Sequence, residues 1–225
     1  MMEKPNPNCA RCSFKSNDRI CRTEDGKHPD NCPTVVMEEL SAEILEEYNK
    51  EAIREFARQA SVQEKDGYRN RELGYGKVRP GKPRIEEILD FIGKMGYRKI
   101  GMAFCMGLRK EAAMVEKLFA SRDLEVVSAI CKVGRAPKET LDLGSEERIA
   151  VGEFESMCNP ILQAALLNEA KTEFNVLLGL CVGHDSLFFK YAEAPCTVLA
   201  VKDRVTGHNP LAAVYTLDSY YRALK

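Results

Sequence analysis

The chain has 225 residues, 44% of them hydrophobic and 30% charged, with a net charge of −1. That fits one mid-sized globular domain with a small appendage. The near-neutral balance gives no footprint for nucleic acid or an anionic membrane surface, and no apolar run nears the roughly 20 residues that span a bilayer. The opening stretch MMEKPNPNCARC has no apolar signal core, so a cytoplasmic location is expected. Nine cysteines in such a chain point to metal or thiol chemistry rather than to disulfides, and their odd number rules out complete pairing.

Residues 1–33 combine Pro5, Pro7, Pro29 and Pro33 with four cysteines and almost no large apolar side chains. Such a segment buries too little surface to fold alone. From Val36 to about Gln63, Met37, Leu40, Ile44, Tyr48, Ala52, Phe56 and Ala60 recur at helical spacing and predict one amphipathic helix. A basic Gly/Pro loop over 67–84 follows, with Arg69, Arg71, Lys77, Arg79, Lys82 and Arg84. As a rule such a loop is solvated; the alternative is a cover for an anionic ligand. Ile85, Ile88, Leu89 and Ile92 then mark a shorter helix ending near Gly96.

Beyond Gly96 strands and helices alternate. KIGMAFC reads as a strand ending at Cys105, Arg109 to Ala120 as a helix, and LEVVSAIC as a strand ending at Cys131. A long polar connection reaches residue 157, and NPILQAALLNEAKTE reads as a helix with Pro160 in its first turn. NVLLGLC is the next strand, followed by a helix from Ser186 to Ala192, the strand CTVLAVKD, and a last helix from Pro210 to about Leu224. This alternation predicts an α/β fold, a Rossmann-like parallel sheet of about four strands flanked by helices. N-terminal helices and a cysteine-rich metal-binding arm precede it. The expected divisions are the arm at 1–33, the helical segment with its basic loop at 34–96, and an α/β domain with a thiolate-lined site at 97–225.

In a parallel sheet all strand C-terminal ends share one edge, and ligands bind in the crevice outside it. Cys105, Cys131 and Cys181 each close a predicted strand, and Cys158 precedes a helix that starts at the same edge. Any one buried cysteine is usually a small core residue, but four at equivalent ends form a candidate cofactor-binding set. Helix N-termini favour their thiolates. Soft sulfur ligands without a carboxylate cage suit an iron–sulfur cluster or zinc. Cys196 opens a strand and is expected to be a packing residue at the opposite edge. His184 and His208 border the same crevice; histidines there cap or bond loops more often than they ligate.

Cys9, Cys12, Cys21 and Cys32 give C-x2-C-x8-C-x10-C, a candidate zinc or iron–sulfur site, with His28 able to replace one ligand. Metal would then supply most of the arm's folding energy. No P-loop, dinucleotide fingerprint or serine nucleophile elbow occurs.

CARC near the start, AFCMGLRKEA, MCNPILQA, GLCVGHDSLF and VKDRVTGHNPLAA together resemble an uncharacterised family of prokaryotic metal-binding proteins with a cysteine-rich N-terminus, a domain of unknown function. The resemblance spans nearly the whole chain and implies metal binding without an assigned reaction. The family's cysteine positions map onto Cys9, Cys12, Cys21, Cys32, Cys105, Cys158 and Cys181, and Cys131 also fits.

Three functions remain open on the sequence. The first is a two-site metalloprotein, with zinc or iron–sulfur in the arm and a cluster at the sheet edge that has a redox or small-molecule role. The second is a thiol-based sulfur-transfer enzyme, with Cys105 or Cys181 as nucleophile and His184 as its base. The third is a non-catalytic metal sensor or interaction module. Expected partners are a metal ion or cluster and a small-molecule ligand, without nucleic acid or membrane.

Overall fold

The computed structural model describes residues 6–225. They fall into two compact units, one ending at Val62 and the other spanning Gln63–Lys225. In the first, turns at Cys9–Arg11 and Ser16–Asp18 lead to helices α1 (Pro33–Val36), α2 (Glu38–Leu45) and α3 (Glu51–Asp66), whose last turn enters the second unit. The helix expected over 36–63 is therefore interrupted. Met37 (φ −121°) separates α1 from α2, and Lys50, extended at ψ 122°, separates a short turn from α3. No residue from 6 to 62 is buried.

The second unit opens with the basic loop, which contains a small antiparallel ribbon of β1 (Tyr68–Arg69) and β2 (Arg79–Pro80). Lys82 pairs with Asp90, and Arg84 Nη2 donates to Thr197 Oγ1 at 2.7 Å, so part of its charge is spent on fixing the loop. Helix α4 (Arg84–Met95) buries Ile88, Phe91 and Ile92, and Gly96 at φ +70° ends it where a side chain would be strained.

Strand β3 (Lys99–Phe104), helix α5 (Arg109–Ala120), strand β4 (Glu125–Ile130), helix α6 (Pro160–Glu169), strand β5 (Phe174–Leu178), helix α7 (His184–Tyr191) and strand β6 (Cys196–Ala200) follow. The four strands form one parallel sheet in the order β4-β3-β5-β6. β3 and β5 are buried almost throughout, as apolar strands covered on both faces must be. Gly101 in β3 permits close packing, because a Cβ there would stand 2.0 Å from Asn175 Oδ1 and 2.8 Å from Leu167 Cδ1. The chain builds outward from β3, first to β4 and then across to β5. The crevice between β3 and β5 is therefore the topological switch point of the sheet.

Helix α8 (Leu211–Tyr215) is shorter than the sequence suggests. After Tyr215 the chain meets Thr216, Asp218 and Ser219, which are poor helix formers, and Thr216 Oγ1 bonds back to the Ala212 carbonyl at 2.8 Å. The chain continues through turns to Arg222–Leu224. Among the described residues no helix is long and apolar enough to cross a membrane.

Candidate functional site

The sheet register explains which thiols meet. Phe104 pairs with Ile130 at the last rung between β3 and β4, so Cys105 and Cys131 occupy the next rung side by side. Neighbouring strands lie about 4.8 Å apart, which sets the two thiols side by side, close enough for each to shift the other's pKa. Cys131 N–H donates to the Phe104 carbonyl at 2.8 Å and Met106 N–H to Cys131 Sγ at 3.2 Å, which locks the pair to the edge.

Cys158 arrives from the far side of a long excursion. Residues 132–157 leave β4 and return, and Met157 N–H donates to the Ala136 carbonyl and Asn159 N–H to the Cys131 carbonyl, both at 2.8 Å. Asn159 then caps α6, its Oδ1 accepting from Leu162 N–H at 3.0 Å. Cys158 is thereby brought beside Cys131 on one side and within electrostatic reach of His184, the first residue of α7, on the other. The groups form a row, Cys105, Cys131, Cys158, His184.

Cys181 is not part of that row. Phe104 pairs with Leu178 on the β5 side, so Gly179 lies level with Cys105 and Cys181 is two residues farther along. Gly179 turns the chain at φ +69°. Sequence spacing alone treats the ends of the three strands as equivalent; the register does not. Cys181 Sγ instead accepts from Arg204 Nη2 at 3.2 Å. Cys196 lies at the start of β6, opposite the row, where Asn175 Nδ2 is 3.8 Å from its sulfur and burial pushes its thiol up.

Each partly exposed thiol of this edge has its own cation. The Lys202 ammonium reaches Cys105, the His184 imidazole bonds Cys158 with Lys132 nearby, and Arg204 holds Cys181. Cys131 is buried and has none. The hydrogen bond with Cys131 lowers the pKa of both Cys105 and Cys158, aided by Gly107 N–H and Lys202 at Cys105 and by His184 at Cys158. Cys131 itself is pushed up by the two thiolates that flank it. Its single proton serves one neighbour at a time, so the other relies on its own cation. The Cys158 thiolate in turn raises the His184 pKa.

Cys9, Cys12, Cys21 and Cys32 line one cleft of about 400 Å³, part of it open solvent, together with Asn8, Arg19 and Asn31. Four thiols around one cleft are the donor chemistry of a soft-metal site. Among the described residues, however, no three His, Cys, Asp or Glu side chains are gathered as metal ligands, there or at the sheet edge. His28 Nδ1 lies 3.2 Å from the Pro29 carbonyl. His208, at φ +68°, is bound into its loop, with Asp203 N–H donating to Nδ1 at 3.1 Å.

Sequence reasoning missed Lys202, Arg204 and Gln163. The two cations follow β6 directly in VKDR, and basic residues just past a strand end are the signal that was there to read. Gln163 is fully buried, and its Nε2 donates to the carbonyls of Phe104 (3.3 Å) and Ala129 (2.7 Å), so it fixes the strand ends that carry the thiols. Nothing in its helical position marks it.

The sequence profile of a family described as a protein of unknown function, DUF1847, matches residues 32–199, and the chain belongs to that family. An uncharacterized protein of Methanocaldococcus jannaschii is 40% identical over 213 residues, covering 95% of each chain. No solved structure matches.

Proposed function

For this member of a family of unknown function, we propose thiol-based sulfur chemistry at the sheet edge. Cys105 and Cys158 act as nucleophilic thiolates, and Cys131 between them is the resolving thiol. The observation that carries this reading is the buried Cys131, which the sheet register places beside Cys105 and the Asn159 N–H to Cys131 carbonyl bond places beside Cys158. A thiolate held by its own cation attacks at neutral pH, and a neighbouring thiol can close a disulfide onto it. A row of sulfurs with Lys202 on its outer member favours this over a metal cluster, whose ligands must surround a point. Mild oxidation followed by peptide mapping tests the reading. Disulfides from Cys131 to Cys105 or Cys158 are expected. A free Cys131 in fully oxidised protein would refute it.

A second reading concerns the arm and rests on a different observation. Four cysteines share one cleft in a unit without a single buried residue between 6 and 62. Zinc or an iron–sulfur cluster held by Cys9, Cys12, Cys21 and Cys32 supplies the missing folding energy. Elemental analysis and acid-labile sulfide on protein purified without oxygen distinguish the two metals. Metal-free protein with a protease-resistant arm would contradict both.

A further inference from the structure

Lys202 crosses the switch-point crevice. It starts beyond the end of β6, its N–H donates to the Leu180 carbonyl at 3.2 Å, and its side chain passes over the β5 loop to the β3 loop. Two glycines lie along its path. A Cβ on Gly179 would lie 3.8 Å from Lys202 Cε, and one on Gly107 would lie 3.4 Å from Nζ and 4.0 Å from Cys105 Sγ. The amine and the Cys105 sulfur thus share the space beside Gly107. Lys132 and Arg204 add positive charge along the same edge, each at another thiol. The nearby carboxylates are engaged locally: Asp203 Oδ1 accepts from Val205 and Thr206 N–H at 3.0 Å, and Asp185 Oδ1 from Ser186 N–H at 2.8 Å.

We infer that this crevice takes a small anionic sulfur donor of the thiosulfate or thiosulfonate class, bound by Lys202 and attacked by Cys105. The inference rests on the thiol reading above and adds the substrate class and Lys202 as the residue that selects it. A thiolate alone repels an anionic electrophile; an ammonium beside the sulfur offsets that repulsion and stabilises an anionic leaving group. With thiosulfate, Cys105 S⁻ attacks the outer sulfur and an S–S bond forms. The bond from that sulfur to the sulfonate breaks, and sulfite departs with the electron pair. One thiolate and one thiosulfate dianion become one persulfide anion and one sulfite dianion, so atoms and charge balance without an added oxidant.

The test uses the full chain and two alkylating probes of similar size, neutral iodoacetamide and anionic iodoacetate, with labelling of Cys105 followed by peptide mass spectrometry near neutral pH. The expected iodoacetate-to-iodoacetamide rate ratio at Cys105 is roughly tenfold or more above that of glutathione, the scale on which a cationic cleft raises encounter with an anion. Lys202→Gln should bring the ratio down to the glutathione value, and Lys202→Arg should restore it. Millimolar thiosulfate should leave Cys105 one sulfur heavier and release sulfite. A glutathione-like ratio in the unaltered protein, or no persulfide with thiosulfate, overturns the substrate class while leaving the thiol reading intact. Failure of Cys105 to react with iodoacetamide overturns the thiol reading itself. The ratio in the unaltered chain decides even if Lys202→Gln does not fold.

Discussion

The Cys158 thiol and the His184 imidazole act on each other electrostatically although they sit near the starts of two different helices, α6 and α7, which pack together. Cys131 and then His184 lower the Cys158 pKa, and Cys158 raises that of His184, so a thiolate–imidazolium pair exists at pH values between the two. It is lost as pH falls through the Cys158 value, by protonation of sulfur, and as pH rises through the His184 value, by loss of the imidazolium.

His184→Asn should therefore raise the pH at which iodoacetamide labelling of Cys158 sets in, and so slow its labelling at acid pH while leaving the rate at neutral pH nearly unchanged as long as the thiol pKa stays below about 7. Cys105 should keep its rate, because Cys131 can then give its proton wholly to that neighbour. Equal slowing at both cysteines would mean that the histidine acts only on the fold.

Gln163 supports the row from beneath. Gln163→Leu preserves volume but removes the donor to the Phe104 and Ala129 carbonyls. The Phe104 carbonyl keeps its bond from Cys131 N–H, and the change also removes the unpartnered Gln163 Oε1, so the expected loss is about 0.5–1.5 kcal/mol, read from the urea unfolding midpoint. A change below about 0.5 kcal/mol would show that the strand ends hold without it.

Residues 132–157 are clamped by Glu155, whose carboxylate accepts from Lys138 Nζ and Ile149 N–H at 2.9 Å and from Ala150 N–H at 3.2 Å. Lys138 and these amides hold its pKa down at about 2. A depressed folded pKa contributes stability that is present above the ordinary carboxylate range, near 4.3, and lost as pH falls toward 2. Hydrogen exchange in 132–157 should accelerate over that acid window in the unaltered protein. Glu155→Gln should raise it at neutral pH and flatten the pH dependence.

The arm offers a prediction independent of the sheet. Chelation, or Cys9→Ser with Cys12→Ser, should expose residues 6–33 to proteolysis and leave the unit from Gln63 onward intact. Equal resistance with and without metal would remove the case for a metal-folded arm.

The sheet was legible because its strands are apolar runs bounded by glycine and polar turns, and α5 falls on the very residues its pattern marks, Arg109–Ala120. The breaks at Met37 and Lys50 were not, since the apolar spacing continues across both. The edge location of the thiols could be read from strand ends, but their grouping could not. Whether a cysteine lies one residue past the last rung, as Cys105 and Cys131 do, or three past it, as Cys181 does, depends on register. The return of Cys158 to Cys131 depends on contacts inside a loop of low regularity, and the reach of Lys202 depends on how the loops after β3 and β5 lie beside the end of β6.

The most direct test of the account is a pH-resolved alkylation profile of the individual cysteines, with iodoacetamide and peptide mass spectrometry on the native protein. Cys105 and Cys158 should label well below the ordinary thiol range, while Cys131 and Cys196 stay unreactive until the protein is strongly alkaline or unfolded. If Cys105, Cys131 and Cys158 instead label together near pH 8.5, as free thiols do, the row has no shared proton and the proposed thiol centre does not exist.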